Sequence, residues 1–281
     1  MHTIKNIIVP TDFSVTARNA FHYARHLAEK LNATLTLVHV NEYFLPTQEL
    51  TVSPIADLEI NQVSVEAMDA FIAEEEGDDD SVMVKNQVKT KILRGNTVGS
   101  LLELSNNPQT DLIVMGATGM QDFISKIMGN ISLQVARDAH CPVLLVPRDV
   151  RWSQIRSIMY ASNYDTVTPP LVQEITDFGR ALKSSVHFVH VSDGHEIDQK
   201  VIQTISDAVL STDGAEAPFQ VHTVKGDDIL NELQTYAEAH QIDLMAFVSL
   251  HHSFWQNMMY KTIIQDISLS TEKPILIMHL A

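Results

Sequence analysis

Three glycines with regular spacing stand out as residues that could bind an anion. Gly116 and Gly119 lie three positions apart, and Gly129 follows ten positions later, just past an apolar stretch that predicts a buried strand. Because glycine has no side chain, its backbone can approach a phosphate closely and adopt a positive φ angle. A helix that begins after a glycine also directs free N–H groups towards negative charge. The spacing therefore predicts a phosphate-binding loop, although glycines in loops often mark ordinary turns.

Apolar runs that predict strands alternate along the chain with amphipathic stretches that predict helices. The predicted strands cover 5–11, 34–40, 83–93, 111–116, 142–147, 157–162, 186–192, 219–225, 243–249 and 274–279. The predicted helices cover 15–31, 55–75, 97–106, 129–139, 169–183, 197–211, 228–240 and 260–270. Ser14 is expected to cap the first helix, and the loop 117–128 would fold over the bound anion. The alternation predicts an α/β protein with parallel, doubly wound sheets.

The chain repeats itself in one consistent order. The matching segments are 5–14 with 156–165 and 38–40 with 189–191, both at an offset of 151, then 94–96 with 225–227 at 131, and 111–115 with 243–247 and 141–146 with 273–278, both at 132. Several landmarks in the same order indicate a duplication. We therefore expect two tandem domains, 1–149 and 150–281, each with a five-stranded parallel sheet.

Composition excludes several classes of function. The net charge of −16 argues against a nucleic-acid partner, because phosphate backbones require clustered Lys and Arg, and it also disfavours anionic membranes. We find neither an apolar run of eighteen residues nor a signal-peptide pattern. Cys141 is the single cysteine, which fits a reducing compartment. We expect a cytoplasmic protein without membrane or nucleic-acid partners.

The motifs of three enzyme classes, P-loop NTPases, serine hydrolases and dinucleotide dehydrogenases, are absent from the sequence. Neither Gly-x4-Gly-Lys-Ser/Thr nor Gly-x-Ser-x-Gly occurs, and no Gly-x-Gly-x2-Gly follows the first strand. Rapid phosphoryl transfer needs a metal clamp and cations, yet the glycine loop offers only Lys126 and Asp122. The acidic run 74–80 is interpreted as a solvated loop, and the thirteen histidines do not assemble a metal site from their spacing. We therefore expect neither catalytic residues nor a metal site.

The motifs taken together resemble the nucleotide-binding branch of the universal stress protein family. Three features carry the likeness: the opening 10–14 (Pro-Thr-Asp-Phe-Ser), the glycine pattern completed by Asn130, and the closing strand 141–146. The resemblance covers the whole chain as two copies and is specific in the first. It implies an adenine nucleotide alpha hydrolase-like fold and an ATP site, with or without Mg²⁺.

The resemblance also implies the residues that contact ATP. The positions implied for the base and ribose are Pro10, Thr11, Asp12, Val40, Met115 and Gly116. The positions implied for the phosphates are Gly119, Gly129, Asn130, Ile131 and Ser132. Asp12 would accept a hydrogen bond from the adenine amino group or a nearby donor, and Val40 would offer its backbone to adenine. Asn130 replaces the usual Ser or Thr of the family, and its amide can still donate to a phosphate oxygen.

The second copy departs from this pattern at every decisive position. Asn163 replaces Asp12, and Val248, His251 and Lys261 stand at the three glycine positions. Side chains there would crowd the approach of the backbone to a pyrophosphate. We expect the second domain to be silent towards ATP, although Lys261 could attract another anion.

The resemblance finally implies how the domains pair and what they do. Family members often pair through their last strands, which here would join 143–146 to 275–278 as an intrachain pseudo-dimer; pairing of whole chains into a homodimer is left open. The expected function is regulation of a stress response by nucleotide occupancy. Two alternatives stay open, a slow ATPase or autokinase using the same site and an interaction scaffold without nucleotide.

Overall fold

A computed structural model of the chain describes residues 4–42, 54–76, 88–117, 130–162, 167–192, 199–210, 218–225, 228–249 and 273–279. The elements of the first half are β1 (Asn6–Thr11), α1 (Val15–Leu31), β2 (Thr34–Asn41), α2 (Pro54–Glu76), β3 (Val88–Arg94), α3 (Thr97–Ser105), β4 (Leu112–Ala117), α4 (Asn130–Asp138) and β5 (Val143–Pro147). Those of the second half are β6 (Ser157–Ser162), α5 (Pro169–Leu182), β7 (Ser185–Ser192), α6 (Gln199–Leu210), β8 (Phe219–Lys225), α7 (Ile229–Ala239), β9 (Leu244–Ser249) and β10 (Ile275–His279). The predicted helix 260–270 lies outside the described residues.

The two halves share one ten-stranded sheet with the strand order β3-β2-β1-β4-β5-β10-β9-β6-β7-β8. Neighbouring strands are parallel within each half, whereas β5 and β10 are antiparallel, with Leu144 opposite Leu276. The order of strands is the same in both halves when each is read from its own outer edge. The predicted α/β fold with two doubly wound halves is confirmed, and so is their pairing through the last strands.

Helix α1 shows how the sequence sets an element boundary. Ser14 caps its beginning, with the Ser14 hydroxyl oxygen accepting a hydrogen bond from the Ala17 N–H at 3.1 Å. The helix ends at Leu31, and its C-cap residue Asn32 adopts a left-handed φ of 52°, a conformation that Asn tolerates better than most residues. Its apolar face, which includes the fully buried Phe21 and Leu27, packs against the sheet.

The core has two layers because helices cover both faces of the sheet. Helices α1, α2, α5 and α6 contribute to the core on one face, and α3, α4 and α7 contribute on the other. Each layer runs across the β5–β10 seam, so that Leu144 and Leu276 share one layer while Val143 and Ile277 share the other. Burial on both faces explains why the strand sequences are nearly continuous apolar runs.

One pair of aspartates holds the same position in the two halves. Asp111 Oδ2 accepts hydrogen bonds from the Lys5 and Asn6 N–H groups at 2.8 and 2.9 Å. Asp243 Oδ2 accepts from the Arg156 and Ser157 N–H groups at 2.8 and 3.1 Å. Each carboxylate thereby ties the start of the fourth strand of its half to the start of the first.

Candidate functional site

The strand order creates a crevice at one edge of the first half. From β1 the chain moves outward through β2 to β3, and then crosses back to place β4 on the other side of β1. The loops that leave the carboxyl ends of β1 and β4 therefore diverge, which is where open parallel sheets bind ligands. Residues 10–12 and 115–117 lie at this point.

The turn from β1 into α1 is held by its own side chains. Thr11, which is buried, accepts a hydrogen bond at Oγ1 from the Phe13 N–H at 2.9 Å. Asp12, which is exposed, accepts at Oδ1 from the Ser14 N–H at 3.0 Å. Phe13 adopts a positive φ of 63°, which is uncommon for a residue other than glycine. The turn thus leaves the Asp12 carboxylate at the surface of the crevice.

A histidine on β2 braces this turn from the side. His39 Nδ1 lies 2.8 Å from the Thr11 carbonyl oxygen. Because a carbonyl oxygen can only accept, His39 carries its proton on Nδ1. The His39 ring also contacts the Phe13 ring, with centroids 4.5 Å apart. Val40, the next residue, is buried on the opposite face of the sheet, so its backbone is the part that reaches the carboxyl edge.

Gly116 has a packing reason to be glycine. A Cβ atom added to it would lie 2.6 Å from Thr16 Cγ2 and 2.7 Å from the Thr16 carbonyl oxygen. The first turn of α1 therefore touches the end of β4, and no side chain fits between them. Met115 beside it is buried on the other face of the sheet. The close contact brings the beginning of α1 to the wall of the crevice.

Helix α4 begins at the same edge and is tied to β4. Its first three residues are Asn130, Ile131 and Ser132, whose N–H groups have no partner within the helix. The Ser132 hydroxyl donates to the Gly116 carbonyl oxygen at 2.8 Å. The Ile131 side chain is 40 % exposed. A helix N-terminus, with its partial positive charge, thus lies beside the end of β4.

These observations can be compared with known proteins. The family model described as the universal stress protein family matches residues 3–147 of the chain. The chain belongs to the universal stress protein family. The match covers the half that contains the crevice and its glycines.

Relatives and solved structures show the same likeness. Over 151 residues the chain is 28 % identical to universal stress protein MJ0531 of Methanocaldococcus jannaschii, covering 51 % of this chain and 82 % of the relative. Universal stress protein YxiE of Bacillus subtilis is 26 % identical over 143 residues, covering 50 % of this chain and 97 % of the relative. The crystal structure of a universal stress protein from Archaeoglobus fulgidus covers 98 % of both chains with a TM-score of 0.71 at 16 % identity, which shows a shared fold across both halves.

Within this universal stress protein, nine of the eleven residues singled out from sequence lie at one edge of the first half or in the strands that lead to it. They are Pro10, Thr11, Asp12, Val40, Met115, Gly116, Asn130, Ile131 and Ser132. Gly119 and Gly129 lie outside the described residues, as do residues 118–128 of the predicted loop 117–128. Their place in the site stays a prediction.

Three residues that shape the edge were missed in the sequence. Thr16 meets Gly116, His39 braces the turn after β1, and Val15 exposes 62 % of its surface at the start of α1. For His39, its repeat at His190 was a signal in the sequence. An exposed valine at the first position of a helix has no periodic signal, because helix periodicity reports only the buried face.

The described ranges hold no group of three His, Cys, Asp or Glu side chains placed to share a metal ion. None of the helices within those ranges is both long and apolar enough to cross a membrane.

Proposed function

We propose that the first half binds ATP at the crevice between β1 and β4, and that nucleotide occupancy regulates a stress response. The observation that carries the proposal is the meeting of three features at one strand end. Gly116 has no side chain, the start of α1 lies against it, and the first turn of α4 is bonded to it. The division into domains 1–149 and 150–281, and a cytoplasmic location, belong to this proposal.

The base of the nucleotide would meet the β1–α1 turn. The hydrogen bond to Ser14 uses Asp12 Oδ1, so Oδ2 can accept from an exocyclic amino group. The backbone of Val40, in β2, would contact the adenine base, and Met115 and Gly116 would lie beneath the ribose. The rigid support of this turn by His39 means that the Asp12 carboxylate needs little ordering when a base binds.

The phosphates would meet the N-terminus of α4. Backbone N–H groups of Asn130, Ile131 and Ser132 supply donors there, with the partial positive charge of the helix end. The Ser132 hydroxyl has a single proton, which it donates to the Gly116 carbonyl. Ser132 would therefore bind phosphate through its backbone while its hydroxyl fixes the helix against β4. Gly119 and Gly129 complete the proposed phosphate contacts.

The second half would not bind ATP at its equivalent edge. Val248 is buried at the position of Gly116, so the end of the fourth strand carries a side chain in the second half where the first half has a glycine. With Asn163, His251 and Lys261 at the other decisive positions, this half serves as a built-in partner that completes the sheet.

Thermal unfolding with and without ATP–Mg²⁺ tests the proposal. A ligand that binds only the native state at a hundred times its Kd adds about 2.7 kcal/mol of stability, which is a readily measured rise in Tm. Gly129→Val should abolish the rise while the unliganded Tm stays unchanged. Gly99→Ala is the matched control, because an added Cβ there meets only ordinary contacts, and it should keep the full rise.

The result that would overturn the proposal is an unchanged Tm at millimolar ATP in the native protein. A rise that survives in Gly129→Val would move the nucleotide to another site. Timed analysis of the nucleotide in the same samples measures turnover, and steady release of ADP would assign the site to an ATPase instead of a binding regulator.

A further inference from the structure

A cavity of about 160 Å³ lies at the seam between the halves, away from the crevice of the first half. Helix α5 forms its wall through Phe178 and Ala181, and β10 forms its floor through Leu276 and Met278. The amino-terminal edge of the first half, with Pro142, lies on the opposite side. We call this cavity the α5 groove. Its volume is close to that of an engineered apolar cavity, roughly 150 Å³, that binds benzene.

The duplication places an equivalent groove beside α1, and there the chain itself supplies an aromatic ring. Trp152, in the segment that joins β5 to β6, lies edge-on against Tyr23 with ring centroids 4.8 Å apart. It also stacks on His26 with centroids 5.7 Å apart. At the offset of 151, Tyr23 and His26 correspond to Glu174 and Asp177, which line the α5 groove. The indole ring of Trp152 therefore lies in the first half at the place that corresponds to the α5 groove.

The apolar floor of the α5 groove also has its counterpart beneath Trp152. At the offset of 132, Leu276 and Met278 of β10 correspond to Leu144 and Val146 of β5. Both residues of β5 are buried in the core layer against which Trp152 packs. The surface that supports an indole ring in one groove is thus repeated, as apolar side chains, in the other.

The helices and aspartates around the two grooves correspond as well. Helices α1 and α5 are each followed by a left-handed residue, Asn32 with φ 52° and Lys183 with φ 60°, which lie at the same offset. Asp111 borders the α5 groove, and its counterpart Asp243 is near enough to Tyr23 to raise the pKa of that phenol, after the larger effect of burial. The same helix, strand and aspartate therefore surround each groove.

The two grooves differ in what occupies them. Among the residues that the structure describes, no side chain is placed in the α5 groove as Trp152 is placed beside α1. The edge of an aromatic ring carries partial positive charge, so it can lie against the oxygens of Glu174 and Asp177 while a face of the ring lies on apolar side chains. A ligand with a full charge would lose its hydration on the same apolar floor. The groove therefore suits a flat, uncharged ring.

We propose that the α5 groove binds a small uncharged aromatic molecule of about the size of indole, whose ring takes the place that the Trp152 indole takes beside α1. A face of the ring covers Leu276 and Met278, and its edge meets Glu174 and Asp177. This site is separate from the ATP crevice and does not depend on the proposed function.

Equilibrium dialysis of the full chain against radiolabelled indole tests the assignment, because it counts the molecules bound per chain. The native protein should bind one molecule at saturation. Trp152→Gly removes the ring beside α1 and opens the equivalent groove, so this variant should bind two. A native protein that binds no indole, while Trp152→Gly binds one, would overturn the proposal, because the emptied groove shows that the assay detects such a site. A folded Trp152→Gly variant that binds no more indole than the native protein would remove the equivalence of the grooves, and the proposal with it.

A second variant fills the α5 groove itself. Ala181 lines the groove and is exposed, so Ala181→Phe should place a ring in the cavity without disturbing the core. It should bind no indole, while its Tm and any ATP-induced rise in Tm stay unchanged. The matched control is Ala70→Phe, the same change at an exposed residue of α2 that does not line the groove, and it should bind one molecule. Normal indole binding by Ala181→Phe would overturn the proposal, and this comparison decides it even if Trp152→Gly does not fold.

Discussion

The two halves of the molecule share a frame and differ at the edge where a ligand would bind. Asp111 and Asp243 make the same pair of backbone hydrogen bonds at the start of each half. At the opposite edge, Gly116 lets α1 touch β4, whereas the buried side chain of Val248 takes up that position in the second half. Both halves thus have the aspartate hydrogen bonds, whereas the glycine at the end of the fourth strand occurs in the first half and not in the second.

The strand ends of the two halves therefore make different contacts. In the first half, the end of β4 lies beside the N-termini of α1 and α4, and in the second half, the ends of β9 and β10 contact α4 of the first half. Ser249 Oγ donates to the Arg137 carbonyl oxygen at 3.1 Å, and His279 Nε2 lies 2.9 Å from the Ala136 carbonyl oxygen. The last strands of the second half thus satisfy the end of α4, whose beginning faces the crevice.

The largest effect is expected when the first half receives the residue that the second half has at the end of its fourth strand. Gly116→Val would place a side chain where Cβ alone lies 2.6–2.9 Å from atoms of Thr16. Because Thr16 contributes backbone atoms there, α1 must shift, and we expect a loss of about 3 kcal/mol in the free energy of unfolding. Urea denaturation measures the loss. A variant as stable as the native protein would show that α1 does not need the glycine.

A smaller loss of stability is expected at the aspartates that hold equivalent positions in the two halves. Asp111→Ala and Asp243→Ala each remove an acceptor of two backbone N–H groups, and each should cost about 2 kcal/mol in the free energy of unfolding. The two losses should be similar, because the hydrogen bonds are equivalent. Urea denaturation of the two variants measures both losses. A large loss of stability at one position and none at the other would contradict the equivalence of the two aspartates.

A smaller effect is expected where the halves support each other. Ser249→Ala removes the hydroxyl that bonds the Arg137 carbonyl oxygen at the end of α4, and should cost about 1 kcal/mol. If α4 couples the seam to the crevice, hydrogen exchange of the α4 amides should also speed up, whereas amides of α7 should not change. Unchanged hydrogen exchange throughout α4 would show that the hydrogen bond from Ser249 to the Arg137 carbonyl oxygen does not stabilise that helix.

The smallest effect is a pH dependence that belongs to the second half. His187, His222 and His240 cluster there, with ring centroids 5.4–5.9 Å apart, and His187 Nδ1 lies 2.9 Å from the Tyr236 hydroxyl. Burial lowers the pKa of His187 and His222 below the ordinary 6.5, and repulsion from neighbouring histidines lowers it further.

The lowered pKa values of these histidines determine whether stability rises or falls with pH. As the pH falls, these histidines bind protons in the unfolded chain before they do so in the folded chain. Their contribution to the free energy of unfolding is therefore complete above pH 6.5 and declines as the pH drops through the lowered pKa values. Denaturation midpoints between pH 7.5 and 5 should fall accordingly, and His222→Gln should flatten the curve. Identical curves for the variant and the native protein would contradict this origin.

Much of the fold could be predicted from the sequence, because buried strands and amphipathic helices leave periodic signals. The boundaries of β1 and α1 follow from an apolar run and the Ser14 cap, and the duplication predicts the second half from the first. The pairing of β5 with β10 was implied by the family resemblance, since neither strand alone indicates which edge it meets.

Contacts between distant segments could not be predicted in the same way. The approach of Thr16 to Gly116, the bond from Ser132 to Gly116 and the packing of Trp152 on Tyr23 join residues on different elements, and spacing carries no signal for them. The histidine cluster was missed for that reason, because β7, β8 and the end of α7 each supply one ring.

Photoaffinity labelling with 8-azido-ATP, followed by mapping of the labelled peptides, tests most directly that one half alone holds the nucleotide. We expect one label per chain, placed within 10–16 or 38–42, where the base would meet the β1–α1 turn and the end of β2, and lost in Gly129→Val. Labelling of the equivalent strand ends of the second half, near 161–167 or 248–249, would contradict it.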